Sequence, residues 1–355
     1  MTAQSLALLR DQCRDRRAAL TMLGSVLASL ALVAVLSSKW DELSAGITGA
    51  PVAIVAAAVA LQILALLTRT EAWHGCVHAS GGTVGRRRLY RASSVGCVGN
   101  LLNAQLGAAA RIAALRRSAP EDSPRVPALI AAELPILVVE AALAALASYT
   151  LVGPLGLPWW LPLVCVAVVA GLGAGVRSLA AARRRWLAKG LAVLGSRRAR
   201  NRMIAFVCIA VLAQVARNWL LLHAVGLDAS LFDAIAVLIA VVSLGQLPFG
   251  LSVGAAASVL ILGPEGVAAA AAAGVLLTAT GTAGGLCFAA WAALDYLVCD
   301  QRVRAFVGRL RPLERAPWLA LEALPAQRRL MVERAYFGGL SHLQIARVLG
   351  IAPAV

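Results

Sequence analysis

This sequence predicts an all-α fold: a polytopic bundle of transmembrane helices, six to eight spans with one or two re-entrant segments, and a short cytoplasmic tail of helix-turn-helix type. Three observations carry that expectation. Of the 355 residues, 60% are hydrophobic and only 14% are charged, whereas a soluble globular chain is about a quarter charged. Apolar runs close to the ~20 residues needed to cross a bilayer recur along the chain. The formal net charge of +16 gathers beside those runs, which directs it at anionic lipid and away from nucleic acid. A mean hydropathy of +0.80 excludes a water-soluble enzyme. Lysine occurs only at Lys39 and Lys189, so 31 of the 33 basic residues (33 − 2) are arginine; with so much alanine, that usage points to a GC-rich bacterial genome.

The elements follow in order. Residues 1–17 are a basic cytoplasmic N-terminus, with Arg10, Arg14, Arg16 and Arg17. The first span is Ala18–Leu36; no small-x-small cleavage site closes it, so it reads as a span and not a signal peptide. The second is Gly46–Leu67, followed by a polar, basic stretch from Arg69 to Arg91. The segment Ala92–Leu115 is moderately apolar and has arginines on both flanks, which puts both of its ends in the cytoplasm. It is read as a re-entrant hairpin or an interfacial helix. Val126–Leu151 is the next span, and Leu155–Val176 returns after a tight turn at Gly153-Pro154. A basic loop from Arg177 to Arg202 is cytoplasmic by the same charge rule. Met203–Val225 then leaves and Leu231–Leu247 comes back, breaking at Pro248, Gly250 and Gly254. Val267–Cys299 is too long for one untilted span, and its Gly281–Gly285 stretch can divide it into two short helices. The transmembrane domain is thus 18–300, a basic linker 301–319, and the tail 320–355, with the C-terminus inside on the strength of Arg302, Arg304, Arg309 and Arg311.

Polar residues inside the apolar segments are functional candidates by default, because an ionisable side chain in hydrocarbon costs several kcal/mol unless paired or watered. They are Asn100, Asn103, Gln105 and Arg111 in the hairpin segment, Glu133 and Glu140, then Gln214, Arg217 and Asn218, and finally Gln246. Glu133 and Glu140 lie seven residues apart, which returns them to within about 20° of one helix face. Two acids on one face suggest a polar cavity, a proton or cation site, or simple neutralisation between helices, and Arg217 is their natural partner. A repeated Gln-Leu near a Gly-Ala-Ala-Ala string, at Gln105–Gly107 and at Gln246–Gly254, is a faint internal echo in an alanine-rich chain.

Other chemistry is weak. The seven cysteines contain no C-x-x-C pair and read as small buried hydrophobes. His74 and His78 are spaced as ligands on one helix, but Gly75 weakens a helix there and no third ligand is near, so no metal site is expected. No nucleophile motif, phosphate loop or dinucleotide fingerprint is present. No catalytic residue, cofactor or enzyme activity is therefore expected.

Two stretches resemble known families. Asn100-Leu-Leu-Asn103-Ala-Gln105-Leu-Gly107-Ala-Ala-Ala-Arg111 is similar to a pattern of asparagine, leucines, glycine, acid and arginine, and Gln246-Leu-Pro248-Phe-Gly250-Leu-Ser-Val-Gly254 to a proline followed by spaced glycines. Both patterns resemble the transmembrane region of lysylphosphatidylglycerol synthases and their stand-alone relatives, over roughly residues 15–300. In the full synthases this region is associated with lipid translocation, and a separate soluble domain transfers the aminoacyl group. The resemblance implies a lipid-translocase-like membrane protein without a synthase domain. This chain departs from the pattern at two acids, where it has Ala108 and Ala255–Ala257.

The tail changes character. Leu324-Pro325 opens a helix to about Phe337, and Gly338-Gly339 ends it. Ser341 then reads as an N-cap with Gln344 completing a capping box. Ile345, Ala346 and Leu349 form the apolar face of a second helix, and Gly350 turns the chain. These residues, with Arg328, Tyr336 and Ile351, resemble region 4 of RNA polymerase sigma factors of the extracytoplasmic-function type. The recognition helix that enters the major groove would begin near Pro353, so the segment reads as a remnant or as a surface for a cytoplasmic protein partner, and sequence-specific DNA binding is not expected. The expected partners are membrane lipids, anionic phospholipid above all. A membrane-tethered transcription regulator is the alternative from another class, and a purely structural membrane protein a third.

Overall fold

The computed structural model describes residues 40–102, 104–181, 189–245 and 253–299. The expected first span, Ala18–Leu36, and the helix-turn-helix tail lie outside them. The chain separates into two compact units, 1–294 and 295–355. Every regular element among the described residues is helical: α1 (Trp40–Thr48), α2 (Val52–Ala79), α3 (Arg86–Leu102), α4 (Ala104–Ser118), α5 (Val126–Ala147), a short α6 (Val152–Leu155), α7 (Leu161–Ala181), α8 (Arg197–Ala224), α9 (Leu231–Leu244), α10 (Val253–Leu262) and α11 (Val267–Cys299), with 3₁₀ turns between some of them.

Four of these helices are long and apolar enough to cross a membrane: Val52–Ala79, Val126–Leu155, Arg197–Ala224 and Val267–Val298. Leu161–Val176, Leu231–Leu244 and Val253–Leu262 are apolar but shorter. The side chains bear out a lipid solvent. Leu163, Val164, Val168 and Leu172 of α7 are all exposed, as are Trp159 and Trp160 at its start. That much open apolar surface belongs against acyl chains, with the two tryptophans suited to the interface.

The centre is an antiparallel pair, α2 and α8. Ala65 of α2 packs with Ala210 and Ala213 of α8, and small residues of this kind let two backbones approach closely where no hydrophobic effect drives them together. One core forms at one end of the pair from Trp73, Leu89, Leu115, Leu129, Ile136 and Met203. A second forms toward the other end from Ala58, Leu221, Val237, Ile261 and Leu277. Two hairpins of short helices enter from opposite ends. The α3–α4 hairpin begins beside the basic Arg86–Arg88 end, and its helices touch at glycines: a Cβ at Gly99 would stand 2.9 Å from the Gly107 Cα, and one at Gly96 would stand 3.0 Å from the Gly107 carbonyl oxygen. The α9–α10 hairpin begins at the other end, where Ser230 and Asp233 form a capping box. It packs on α11 through Gly254 and Gly274, whose backbones leave no room for a Cβ.

The structure revises several expected boundaries. The second span starts at Val52, after Pro51, and runs to Ala79, carrying Arg69, Glu71 and His74 as helix and not as loop. Gly75 does not stop it, since one glycine costs only about 1 kcal/mol against a buried face that includes Trp73 and Cys76. The moderately apolar stretch is a helical hairpin. The turn before α7 is not at Gly153-Pro154, which are helical; the chain reverses after Gly156, in the left-handed conformation at φ 59°. Met203 is not the start of its helix: α8 begins six residues earlier, at Arg197, where Ser196 caps it by accepting from the Ala199 N–H, so the arginines of 197–202 form its first turns. α9 stops at Leu244, ahead of the expected Leu247. Finally, α11 is one helix of 33 residues. Gly281 and Gly284 do not divide it; Gly284 faces Gln62 of α2 so closely that no Cβ fits.

Candidate functional site

The polar residues inside the bundle collect into two arginine centres in opposite halves. The first lies between α2, α4 and α5. Arg111 of α4 forms an ion pair with Glu133 of α5, each side chain 13% exposed. The Arg111 guanidinium also lies over the ring of the fully buried Trp73, 4.2 Å from its centroid, a cation–π contact that strengthens on desolvation. Gly96 of α3 backs this arrangement, since a Cβ there would meet the Arg111 Cβ at 3.0 Å. Seven residues along α5, Glu140 accepts from Arg69 of α2 at 3.0 Å. The one-face geometry of the two acids is thus used, but each meets its own arginine.

The second centre lies between α2, α8 and α11. Arg217 of α8 is 7% exposed and Asn218 1%. The guanidinium donates to the Gln62 side-chain oxygen of α2 and, at 3.4 Å, to the Asn218 oxygen. Arg217 is therefore not the partner of Glu133 or Glu140, as its composition and position suggested; those acids lie in the other half of the bundle and are taken by Arg111 and Arg69. Above Arg217, a Cβ at Gly281 would stand 3.4 Å from Nη1, and one at Gly284 would stand 2.6 Å from Gln62 Cγ. Gln214 is half-buried one turn before Arg217.

The remaining candidates divide. Asn100 lays its side chain against Gly107, across the hairpin. Gln105 belongs to α4. Asn103 and Gln246 lie outside the described residues, as do Ser341, Gln344, Ile345, Ala346, Leu349 and Gly350. Two partners were missed. Gln62 is the lone polar residue in the apolar run 52–67, which is itself a signal. Arg69 lies just beyond the apolar run, which ends at Leu67, at the start of the stretch that reads as polar and basic.

At the basic end, Glu71, near the end of α2, accepts from the Tyr90 hydroxyl at 2.8 Å and pairs with Arg86 at 3.6 Å. Burial, then this hydrogen bond, raises the Tyr90 phenol above its ordinary range. The Tyr90 ring packs edge-on to Phe288 and Trp291 of α11. Arg88 reaches Asp122 at 3.0 Å. Among the described residues no group of three or more His, Cys, Asp and Glu is placed to hold a metal ion.

A bundle of long apolar helices, with lipid-exposed faces and half-span hairpins, defines an integral membrane protein. The family model described as the lysylphosphatidylglycerol synthase TM region matches residues 22–292, which is most of the chain. The protein belongs to that family. The model for sigma-70 region 4 matches residues 318–354, so both resemblances read from the motifs hold. Comparison with curated proteins gave no match, and neither did comparison with solved structures. Ala255 and Ala257 are buried at 4% and 0%.

Proposed function

We propose that this protein is a non-enzymatic lipid-translocase-like component of a bacterial inner membrane, with both termini in the cytoplasm and anionic phospholipid as its partner. The observation that carries this reading is the run of paired charge through the first half of the bundle, Arg69–Glu140 and Arg111–Glu133, on α2, α4 and α5. Paired charges of this kind line paths for polar groups through hydrocarbon, and a lipid headgroup is such a group. The basic residues of 86–91 and 197–202 gather at one end of the α2–α8 pair, which the positive-inside rule assigns to the cytoplasm.

The test is a reconstituted vesicle assay. Fluorescent phosphatidylglycerol in proteoliposomes should become accessible to an impermeant quencher from both leaflets, and Glu133→Gln should abolish that exchange. Rates equal to protein-free vesicles would remove the translocase reading. A reporter active only outside the cytoplasm, fused at each end, should stay silent at both.

The region 4 match at 318–354 favours a second reading, a membrane-tethered transcription regulator. Base recognition needs a helix in the major groove; arginine–phosphate contacts alone are indifferent to sequence and weaken steeply with salt. Full-length protein in nanodiscs should bind promoter and scrambled duplexes equally. A promoter preference that persists as salt rises would put the regulator reading first.

A further inference from the structure

The second arginine centre has a surplus of donors and lacks an anion. Arg217 brings five N–H groups and no acceptor. Its described hydrogen bonds go to two neutral amide oxygens, on Gln62 and Asn218, and its Nε is buried with no partner. No ion pair of Arg217 is found among the described residues; Glu140 and Glu133 are held by Arg69 and Arg111, and Glu71 by Arg86 and Tyr90. Taking the oxygens of Gln62 and Asn218 leaves their amide N–H₂ groups as further donors on the same cluster. A guanidinium in a low-dielectric interior with only dipolar partners is expensive, and the cost falls when a counter-charge arrives. The facing wall of α11 carries no side chain at the point of contact: a Cβ at Gly281 would meet nothing within 4 Å but Arg217 Nη1.

We propose that Arg217, with Gln62 and Asn218 beside it and only the side-chain-free Gly281 facing it from α11, is an anion-binding site within the membrane that takes a phosphate group. Arginine is suited to this, because its planar fork meets two phosphate oxygens at once. The phosphate can belong to an anionic phospholipid headgroup or to free inorganic phosphate; the chemistry of recognition is shared. The inference stands apart from the translocase reading, since it concerns the other half of the bundle and predicts binding only.

The experiment uses the full chain in maltoside detergent micelles, which carry no phosphate. One arm adds phosphatidylglycerol to the micelles, the other adds inorganic phosphate to the buffer, and the thermal unfolding midpoint is followed against concentration, since a ligand of the native state raises it. The midpoint of the wild type should rise. Response to phosphatidylglycerol alone assigns the site to a headgroup; response to both assigns it to the free anion as well. Arg217→Gln should weaken the apparent affinity roughly 10- to 100-fold, the value of hydrogen bonds to a charged group, while folding at least as stably without ligand. Gly281→Leu should keep the charge but block its approach, with the same loss. Arg197→Gln, an exposed arginine at the far end of α8, should respond as wild type does. No rise with either probe, or an equal rise in Arg217→Gln, would overturn the proposal. Neither outcome touches the vesicle exchange assay, which reads the Arg111–Glu133 centre.

Discussion

The two buried arginines occupy matching depths and are treated in opposite ways. Arg111 stands seven residues from the end of α4 at Ser118, and Arg217 seven from the end of α8 at Ala224; each is therefore about 10 Å inside its end of the bundle. Arg111 has a carboxylate, an indole face and a glycine backing. Arg217 has two amide oxygens and a glycine wall. The first is neutral as a unit, although Arg111 Nε, like Arg217 Nε, is buried without a hydrogen-bond partner. The second keeps its net charge, so its environment favours an incoming anion. Residue type alone thus says little about what an intramembrane arginine does; the charge state of its partner decides.

That contrast can be broken experimentally, and the largest effect should fall on the paired centre. Glu133→Ala leaves Arg111 buried with no counter-charge, and the expected loss is about 3–5 kcal/mol of stability, read as a lowered unfolding midpoint in detergent. Little or no loss would show that the two centres are not different in kind. Next comes Gly284→Ala. Its Cβ would stand 2.6 Å from Gln62 Cγ and 2.9 Å from Gln62 Cβ, so α2 and α11 must separate, at a cost of about 1–3 kcal/mol. The same measurement checks it, and wild-type stability would mean that the glycine contact is loose.

Arg69→Ala should matter less. Its side chain is 41% exposed and that of Glu140 26%, so solvent weakens the pair to below about 1 kcal/mol. A larger loss would show that lipid and not water covers the pair. The smallest effect is expected at Arg217→Met in the absence of anionic lipid, with stability unchanged or raised, because an unneutralised buried charge is removed. A clear destabilisation there would mean that Arg217 serves the packing of α2 against α8, as Arg111 serves its own helices.

Much of this architecture was legible in the chain. Apolar runs of spanning length marked the membrane helices, and arginines on both flanks of a weakly apolar stretch marked the α3–α4 hairpin. Helical periodicity put Glu133 and Glu140 on one face, where both indeed find guanidinium groups. The motif residues around Asn100 and Gln246 pointed to the family that matches residues 22–292. The misplaced boundaries have one cause in common. Arg69, Glu71 and the arginines of 197–202 are charged, so hydropathy ended the helices at them, whereas a helix ends where its backbone loses partners or meets a cap, as at Ser196. In α11 the glycines read as breaks because their local propensity is poor, yet they are helix-compatible wherever a neighbour presses close.

What the sequence by itself determined is the class of solvent, the helical character and the set of polar residues that must be accommodated in hydrocarbon. Those follow from composition and from periods of a few residues, which are local properties. Only the tertiary structure decided which arginine meets which partner. Arg217 and Gln62 are 155 positions apart, and Arg69 and Glu140 are 71 apart. A helix's rotation and register against its neighbours set such pairs. Those depend on alanine and glycine contacts such as Ala65 with Ala213 and Gly284 with Gln62, whose fit exists only once the helices are packed.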